Sequence, residues 1–265
     1  MSESRPAPVL RPTAVVHRLR AAGCVFAEDE ARLLIEAART PADLAAMVRQ
    51  REAGRPLEYI VGWAEFCGLR IAIDPGVFVP RHRTELLVRE AAARTPAGAR
   101  VVDLACGSGA VAVALAARVG DVTVYAVDVD PAAVACARRN LVPLGGQVYA
   151  GDLFDPLPAR LRGQVHVLVA NVPYVPTDAV DLMPPEARLH EPLVALDGGA
   201  DGLDVLRRVA AGARDWLAPG GHLLVETGAD QAPAALAAFA RAGLTPAVAS
   251  DEELGATVII GRAGP

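Results

Sequence analysis

The sequence of 265 residues predicts an α/β fold, in which helices cover both faces of a mostly parallel sheet, with a small helical domain in front of it. Beyond residue 81, short apolar runs alternate with amphipathic helical patterns, which is typical of parallel strands connected by helices. The first of these runs leads into a glycine turn, Gly107-Ser108-Gly109, as strands of doubly wound sheets often do. With 52% hydrophobic residues, the chain can fill the large core that such a fold needs.

The N-terminal region predicts helices. Residues 1–12 contain three prolines and few apolar residues, so we expect a frayed leader there. Between about residues 13 and 51, apolar residues recur every three or four positions, which predicts a small helical bundle. Thr40 and Pro41 are the residue types expected at the N-cap and first turn of its last helix. We assign residues 1–56 to an N-terminal helical domain.

Residues 57–80 differ from both neighbouring regions, because aromatic and β-branched residues are interrupted by Gly62, Gly68 and Gly76. This mixture predicts a hairpin or linker. The remaining residues, 81–265, form the α/β domain. Its predicted helices and seven predicted strands are, in order, helix 84–95, strand 100–105, helix 109–119, strand 122–128, helix 131–141, strands 146–150 and 165–170, helix 201–217, strand 221–227, helix 230–242, and strands 246–250 and 256–261.

The composition excludes several classes of function. Every basic residue is an arginine, and without lysine the chain can form neither a phosphate-binding P-loop nor a site that depends on a lysine amine. The formal net charge of −5 disfavours stable nucleic-acid binding. The four cysteines lack metal-binding spacing, and no apolar run is long enough for a membrane span. We expect a cytoplasmic monomer without a metal, a disulfide or a membrane contact.

An acidic residue and a glycine turn mark the end of the first strand of the α/β domain. The pattern Gly107-x-Gly109-x-x-Ala112 occurs in sheets that bind dinucleotides and in sheets that bind methyl donors. Asp103 ends an otherwise apolar strand, where a carboxylate is costly unless a cation pairs with it. S-Adenosylmethionine carries an ammonium and a sulfonium, whereas a dinucleotide carries an anionic pyrophosphate. Asp103 therefore favours the methyl donor; the alternative is that it caps a neighbouring loop.

Further acidic residues follow the next two strands. Asp128 ends the second strand, where a carboxylate can accept hydrogen bonds from both hydroxyls of a ribose. Asp130 is expected to cap the next helix instead. Asp152 follows the third strand and is predicted near an adenine amine, with Leu153 and Cys106 as apolar neighbours of the base, although Gly-Asp is also a common turn.

Asn171-Val172-Pro173-Tyr174 follows an apolar run at a predicted strand end. A carboxamide nitrogen is a poor nucleophile because its lone pair is conjugated, so an enzyme that methylates it must orient it. The side-chain oxygen of Asn171 and the carbonyl of Val172 can each accept one N–H, while Tyr174 packs on the flat amide. The motif predicts a site for a planar amide beside the methyl donor; the alternative is an ordinary turn.

Further segments extend this pattern over nearly the whole chain: residues 55–62, Phe78-Val79-Pro80-Arg81, Arg83-Thr84-Glu85, and residues 191–196, 198–203 and 219–228. Together with the two motifs above, they resemble the HemK-type protein-glutamine methyltransferases, which methylate the glutamine amide in the Gly-Gly-Gln loop of peptide-chain release factors. The resemblance implies a Rossmann-like S-adenosylmethionine methyltransferase fold, a release factor as the protein substrate, and an N-terminal domain that helps to dock it.

The patterns and the resemblance together define two sets of expected site residues. The methyl-donor set is Asp103, Ala105, Cys106, Gly107, Ser108, Gly109, Asp128, Val129, Asp152, Leu153 and Asn171. The catalytic, acceptor-holding set is Asn171, Val172, Pro173 and Tyr174.

This chain departs from the family at two places. The family has proline where this chain has Val172, and an acidic residue after a proline where this chain has His82-Arg83. Because Pro173 restricts Val172 to extended dihedrals, we expect its carbonyl to keep its direction. The departures leave the acceptor open between a release factor and, for a divergent paralogue, another protein or a small amide or guanidine.

Three other functions compete with this interpretation. They are methylation of an exocyclic amine of a nucleic-acid base, dinucleotide-dependent oxidoreduction, and ligand binding without turnover. The long segment 175–200 predicts a loop that closes over the site, with Glu191 either in the site or fixing the loop. We expect Glu226 to pair with Arg81 or a helix end, and His82 to be either a solvated side chain or a general base.

Overall fold

The computed structural model describes residues 11–265. In this part of the chain, the N-terminal region forms helices α1 (Pro12–Ala21), α2 (Ala27–Ala37), α3 (Pro41–Glu52) and α4 (Leu57–Val61). The predicted cap of α3 is confirmed, because the Thr40 hydroxyl accepts a hydrogen bond from the backbone nitrogen of Asp43 at 3.1 Å. Pro41 occupies the first turn, where its missing N–H costs nothing. Residues 1–10 of the expected leader lie outside the described residues.

A hairpin follows, made of the antiparallel strands β1 (Trp63–Phe66) and β2 (Leu69–Ala72). Both residues of its turn have positive φ, 52° at Cys67 and 74° at Gly68, a geometry that matches the twist of the two strands. The side chain of Asn140 fastens the hairpin to the α/β domain by donating to the carbonyl of Ala72 and accepting from its nitrogen, both at 3.0 Å. Residues 57–80 are therefore anchored rather than free.

The main sheet confirms the predicted fold class. Its strands are β3 (Ala99–Leu104), β4 (Val122–Asp128), β5 (Gln147–Ala150), β6 (Val165–Ala170), β7 (Leu217–Thr227), β8 (Thr245–Asp251) and β9 (Ala256–Arg262). They lie in the order β5-β4-β3-β6-β7-β9-β8, and β9 runs opposite to the other six strands. The chain order reverses between β3 and β6, so the carboxyl ends of these two strands flank the crevice in which such sheets bind ligands.

The remaining helices are α5 (Glu85–Ala92), α6 (Ala110–Val119), α7 (Pro131–Leu141), α8 (Pro185–His190), α9 (Asp204–Trp216) and α10 (Ala232–Arg241). Helices α5, α6 and α7 cover one face of the sheet, and α9 and α10 cover the other. Helix α9 buries Leu206 and Val209 completely, and each such side chain contributes about 2 kcal/mol to folding. Helix α9 begins three residues later than the predicted helix 201–217, because Gly202 forms a turn with φ 75°. No helix within residues 11–265 combines the length and apolar character needed to cross a membrane.

Arg51 connects the N-terminal helices to the segment 175–200. Its guanidinium pairs with Glu30 of α2 at 2.6 Å and with Glu186 of α8. Arg51 is buried, so removing it would leave the carboxylate of Glu30 in the interior without a partner. The helical region is thus joined electrostatically to the segment that borders the crevice.

Candidate functional site

A cavity opens at the carboxyl ends of β3 and β6; together with the open solvent at its mouth, its space amounts to about 740 Å³. Its walls come from five stretches that are distant in sequence. They contribute Val77, Phe78, Pro80 and Thr84; Asp103, Ala105, Cys106, Gly107, Ser108, Ala110 and Val111; Asp128, Val129, Asp130 and Ala133; Asn171 and Pro173; and Pro192, Val194 and Ala195. The cavity therefore joins the predicted methyl-donor turn and the predicted acceptor motif.

The turn after β3 brings backbone close to the cavity. Ala105, Gly107 and Gly109 all have positive φ, at 54°, 55° and 78°. A Cβ at Gly109 would lie 2.9 Å from Cδ1 of Leu141, so glycine is needed there for α6 to pack on α7. Around Gly107 the space is open, which leaves its backbone free to approach a ligand. Ala105 carries the strain of a left-handed conformation without being glycine, a feature concentrated at functional sites.

Asp128 ties the end of β4 to this turn. Its Oδ2 accepts a hydrogen bond from the nitrogen of Gly107 at 2.8 Å, and its Oδ1 accepts one from the nitrogen of Asp130 at 2.9 Å. Burial raises the pKa of the Asp128 carboxyl, and these two N–H groups partly oppose the shift. Asp130 caps α7 as predicted, since its Oδ1 accepts from the nitrogen of Ala132 at 2.8 Å.

Asp103 is a buried carboxyl in the wall of the cavity, only 1% exposed. Burial raises its pKa to about 8; the charge of Asp128 adds to the shift, and a hydrogen bond from the nitrogen of Ala112 opposes it. Among the described residues, no cation pairs with Asp103 or Asp128. This side of the cavity therefore carries acidic groups whose charged forms a bound cation would stabilise.

Asn171 lies directly after β6, beside the turn that follows β3. Its Nδ2 donates to the hydroxyl of Thr84 at 3.4 Å. Within residues 11–265 no hydrogen bond is donated to its Oδ1, so this oxygen remains available to an N–H group in the cavity.

The other three residues of the acceptor motif differ in position. Pro173 lines the cavity, whereas Val172 is fully buried in the core beneath it and contributes no side chain to the wall. Tyr174 also lies outside the lining residues, and its hydroxyl donates to Oε1 of Glu226 at 3.2 Å. The guanidinium of Arg83 covers its ring at 5.6 Å from the centroid. Stacking of Tyr174 on an acceptor amide stays a prediction.

Two buried glutamates on the acceptor side are paired with arginines. Glu191 accepts from Arg81 at 2.6 and 2.7 Å and from the nitrogen of Val79 at 3.2 Å. Glu226 contacts the Nε of Arg83 at 3.3 Å. The expected pair of Glu226 with Arg81 is therefore wrong, because Arg81 is taken by Glu191. Both pairs neutralise charge around the acceptor motif, which suits a neutral acceptor.

The segment 175–200 forms part of the cavity wall, and its closing over the site stays a prediction. Pro192, Val194 and Ala195 reach the cavity, and Glu191 fastens the segment to Val79 and Arg81. The two ends of the segment are joined to each other, because the nitrogen of Gly198 donates to the carbonyl of Val175 at 2.8 Å.

Several expected site residues lie outside this cavity. Gly109 and Leu153 are not part of its lining, and the carboxylate of Asp152 pairs with Arg208 at 2.5 Å. His82 is an exposed side chain, 3.2 Å from a carboxylate oxygen of Glu85.

Eleven of the lining residues lie outside the expected site sets: Val77, Phe78, Pro80, Thr84, Ala110, Val111, Asp130, Ala133, Pro192, Val194 and Ala195. The family resemblance was a signal for six of them, since it extends over Phe78, Pro80, Thr84, Pro192, Val194 and Ala195. Nothing local in those segments indicates a ligand.

Comparison with known proteins agrees with this architecture. Residues 68–186 match the family model described as "Methyltransferase small domain". The chain is 41% identical to the release factor glutamine methyltransferase of Geobacter sulfurreducens, over 83% of this chain and 78% of that protein. It is 40% identical to the 4-amino-L-phenylalanine/4-methylamino-L-phenylalanine methyltransferase of Streptomyces pristinaespiralis, over 74% of this chain and 69% of that one.

A solved structure shares the fold. The crystal structure of a methyltransferase from Pyrococcus furiosus aligns with a TM-score of 0.56 at 17% identity, over 84% of this chain and all of that one. The prediction that the chain has a methyltransferase fold is confirmed.

Proposed function

The chain belongs to the release factor glutamine methyltransferase family, and on that premise we propose that it transfers a methyl group from S-adenosylmethionine to the side-chain amide of a glutamine in a release factor. One observation carries the proposal. Within residues 11–265, buried carboxyls at the ends of β3 and β4 have no cationic partner, and they share a single cavity with Oδ1 of Asn171, which accepts no hydrogen bond. The acidic side of the cavity suits a cationic donor, and the side with Asn171 suits a neutral amide acceptor.

The donor half fits S-adenosylmethionine, which supplies an electrophilic methyl group on a sulfonium. Asp103 would attract the cationic amino-acid part, and its buried carboxyl would become charged on binding. Asp128 has lone pairs left for the ribose hydroxyls, and the turn from Ala105 to Gly109 offers backbone contacts. We also propose that Cys106, Ser108 and Val129, which lie on the cavity wall, belong to the donor site. The same proposal places Asp152 and Leu153 near the adenine.

The acceptor half orients a nucleophile. Oδ1 of Asn171 and the carbonyl of Val172 would each accept an N–H of the substrate amide, which turns the nitrogen lone pair toward the methyl group. Pro173 forms the adjacent wall. No strong base is needed, because the proton becomes acidic once the nitrogen carries the methyl group.

The replacement of the family proline by Val172 is compatible with this chemistry. The Val172 side chain is 1% exposed and faces the core, so the change does not alter the cavity wall. Pro173 keeps Val172 in extended dihedrals, which preserves the direction of its carbonyl.

A second acceptor is a small aromatic amine or amide. It is favoured by the relative at 40% identity whose name gives aminophenylalanine substrates, and by the departure from the family at His82-Arg83. A small acceptor would need the same Asn171 and Val172 hydrogen bonds.

We further propose that residues 1–56 dock the protein substrate, that residues 57–80 connect this domain to the methyltransferase domain 81–265, and that the enzyme acts as a cytoplasmic monomer. The pairs of Arg51 with Glu30 and Glu186 support a link between docking and the cavity, because Glu186 belongs to the segment that forms its wall.

The proposed function is tested with labelled methyl donor, a recombinant release factor and mass spectrometry. The label is expected on the glutamine of the Gly-Gly-Gln loop and absent from a release factor in which that glutamine is replaced by alanine. 4-Amino-L-phenylalanine is tested in parallel. Label on the small amine alone, or on neither acceptor, would refute the release factor as substrate. Calorimetry with S-adenosylhomocysteine and NAD tests the cofactor, because tight binding of NAD alone would exclude S-adenosylmethionine.

A further inference from the structure

A line of polar side chains runs behind the acceptor motif, from Asn171 through Thr84 to Glu226. We propose that Glu226 is a positioning residue that acts through the Thr84 hydroxyl to fix the direction of the Asn171 amide, so that Oδ1 rather than Nδ2 faces the substrate nitrogen. The inference rests on the proposed function and adds two residues to the machinery of its acceptor site.

Glu226 lies near the end of β7, the strand that pairs with β6 just before Asn171. It is 1% exposed. Its Oε1 accepts hydrogen bonds from the hydroxyl of Tyr174 at 3.2 Å and contacts Nε of Arg83 at 3.3 Å. Its Oε2 is buried and has no hydrogen-bond partner among the described residues. One carboxylate oxygen is thus used by a hydrogen bond and an ion-pair contact, and the other is left for a further donor.

Thr84 is the group that can supply this third hydrogen bond. Its side chain is buried in the cavity wall, and the hydroxyl already accepts from Nδ2 of Asn171. Strands β6 and β7 pair Ala170 with Val225, so Asn171 and Glu226 follow side by side, and Thr84 contacts Asn171 there. Burial raises the pKa of the Glu226 carboxyl, and the nearby Thr84 hydroxyl is the largest influence that opposes this shift, although the two side chains form no hydrogen bond of ordinary geometry in the structure. Rotation of the hydroxyl proton toward Oε2 would complete the hydrogen bonding of both groups.

The chemistry of the three groups determines which of them donates and which accepts each hydrogen bond. A carboxylate can only accept hydrogen bonds, so beside it the Thr84 hydroxyl must donate and presents its lone pairs to Asn171. Those lone pairs hold the NH2 group of Asn171 and leave Oδ1 toward the cavity. A donor at position 226 would allow Thr84 to donate to Asn171 instead, and the amide could then turn its NH2 toward the N–H groups of the substrate.

Arg83 makes the buried charge tolerable. A carboxylate in the interior is costly without a counter-charge, and Arg83 provides one while its side chain remains 44% exposed. Glu226 can therefore stay ionised in the working enzyme.

The test compares Thr84→Val, which keeps the shape of the side chain, with Thr84→Ser, which keeps the hydroxyl. Thr84→Val is expected to lower kcat about 10- to 100-fold while KM for the release factor changes less than about threefold. Thr84→Ser should restore kcat to within about threefold of the wild type. Calorimetry with S-adenosylhomocysteine should give unchanged affinity. Thr95→Val serves as the matched control, because within residues 11–265 the Thr95 hydroxyl forms a hydrogen bond only to the carbonyl of Ala91.

The pH profile and Glu226→Gln probe the charged end of the line. Wild-type kcat should fall as the pH drops through the raised pKa of Glu226, because a protonated carboxyl can donate to Thr84. Glu226→Gln should lose kcat to a similar extent as Thr84→Val and lose this acidic limb of the profile. Thermal unfolding monitors the fold, and the two Thr84 variants decide the question if Glu226→Gln does not fold.

A readout without substrate separates this inference from the proposed function. The side-chain amide protons of Asn171, assigned by comparison with Asn171→Ala, should exchange with solvent about 10-fold faster in Thr84→Val than in the wild type or Thr84→Ser. Equal exchange in all three, or wild-type kcat and pH profile in Thr84→Val, would overturn the inference. A wild-type enzyme that leaves the release factor unmethylated would overturn the proposed function and leave the exchange measurement valid.

Discussion

The two halves of the cavity are built in different ways. In the donor half, hydrogen bonds join residues close in sequence: Ala112 to Asp103, nine positions apart, and Gly107 to Asp128, 21 positions apart. In the acceptor half, Asn171 is joined to Thr84 over 87 positions, and the other pairs span 52 and 110 positions. The donor half is therefore a local structure, and the acceptor half forms only when distant segments meet.

The halves also differ in charge. Asp103 and Asp128 have no cationic partner among the described residues, whereas Glu191 and Glu226 are each paired with an arginine. A site that lacks a counter-charge is completed by a cationic ligand, and a neutralised site accepts a neutral one. This difference predicts that substitutions in the acceptor half mainly lower the rate of methyl transfer, whereas substitutions in the donor half mainly weaken donor binding.

Replacing Asn171 by alanine is expected to have the largest effect. The substrate amide loses the acceptor that orients it, so kcat should fall at least about 100-fold. Binding of S-adenosylhomocysteine should weaken less than about fivefold, because Asp103 and Asp128 remain. Methylation of the release factor and calorimetry measure the two quantities. Unchanged methylation by this variant would remove Asn171 from the catalytic machinery.

Gly202→Ala tests the dependence of the acceptor half on distant contacts. A Cβ at Gly202 would overlap the carbonyl oxygen of Tyr174, and the residue has φ 75°. We expect a loss of about 2 kcal/mol in the free energy of unfolding and a reduced rate of methyl transfer, with donor affinity largely kept.

The matched control for this variant is Gly145→Ala. Gly145 has a similar φ of 80°, but open space surrounds it. It should lose only the backbone contribution of about 1 kcal/mol, without an effect on methyl transfer. Equal effects in both variants would argue against the contact with Tyr174.

Asp128→Ala should mainly weaken donor binding, whereas Asn171→Ala should mainly lower kcat. The loss of hydrogen bonds to a charged acceptor and of the anchor for Gly107 should weaken binding of S-adenosylhomocysteine about 10- to 50-fold. Asp130→Ala is the control, since it removes only the cap of α7 and should cost about 1 kcal/mol of stability. Donor affinity that stays at the wild-type value in Asp128→Ala would exclude Asp128 from the donor site.

The pKa of Asp103 predicts a pH dependence of donor binding. The free protein keeps this carboxyl protonated up to about pH 8, and a bound cation favours its charged form. Affinity for S-adenosylhomocysteine, which keeps the ammonium, should therefore rise with pH by less than tenfold between about pH 6.5 and 7.5. Asp103→Asn should remove this slope. A wild-type affinity that falls with pH over this range would contradict the assignment.

The same group affects stability with the opposite sign. The pKa of Asp103 in the folded state lies above the value of 3.8 for the free group, so its contribution to folding stability is present at low pH and is lost as the pH rises to about 8. Without ligand, the melting temperature of the wild type should fall between about pH 4 and pH 8 more than that of Asp103→Asn.

Asp152→Asn should have the smallest effect. Its carboxylate is half exposed and paired with Arg208, so it must leave that pair to reach an adenine amine. We expect donor affinity to change about two- to threefold, because an exposed pair contributes little. A change above tenfold would mean that Asp152 turns into the cavity when the donor binds.

The sequence by itself determined the layered α/β architecture, the positions of its strands to within a few residues, and the glycine turn between Asp103 and Gly109. These features follow from hydrophobic periodicity and from local backbone requirements, which depend on neighbouring residues. The sequence also predicted that the motif from Asn171 to Tyr174 follows the end of a strand. Only the tertiary structure decided that Thr84 supports Asn171, that Glu226 pairs with Arg83 rather than Arg81, that Val172 faces the core, and that Asp152 turns to Arg208. Contacts between segments more than 50 positions apart leave no periodic trace in one sequence, so they become visible only when the chain has folded.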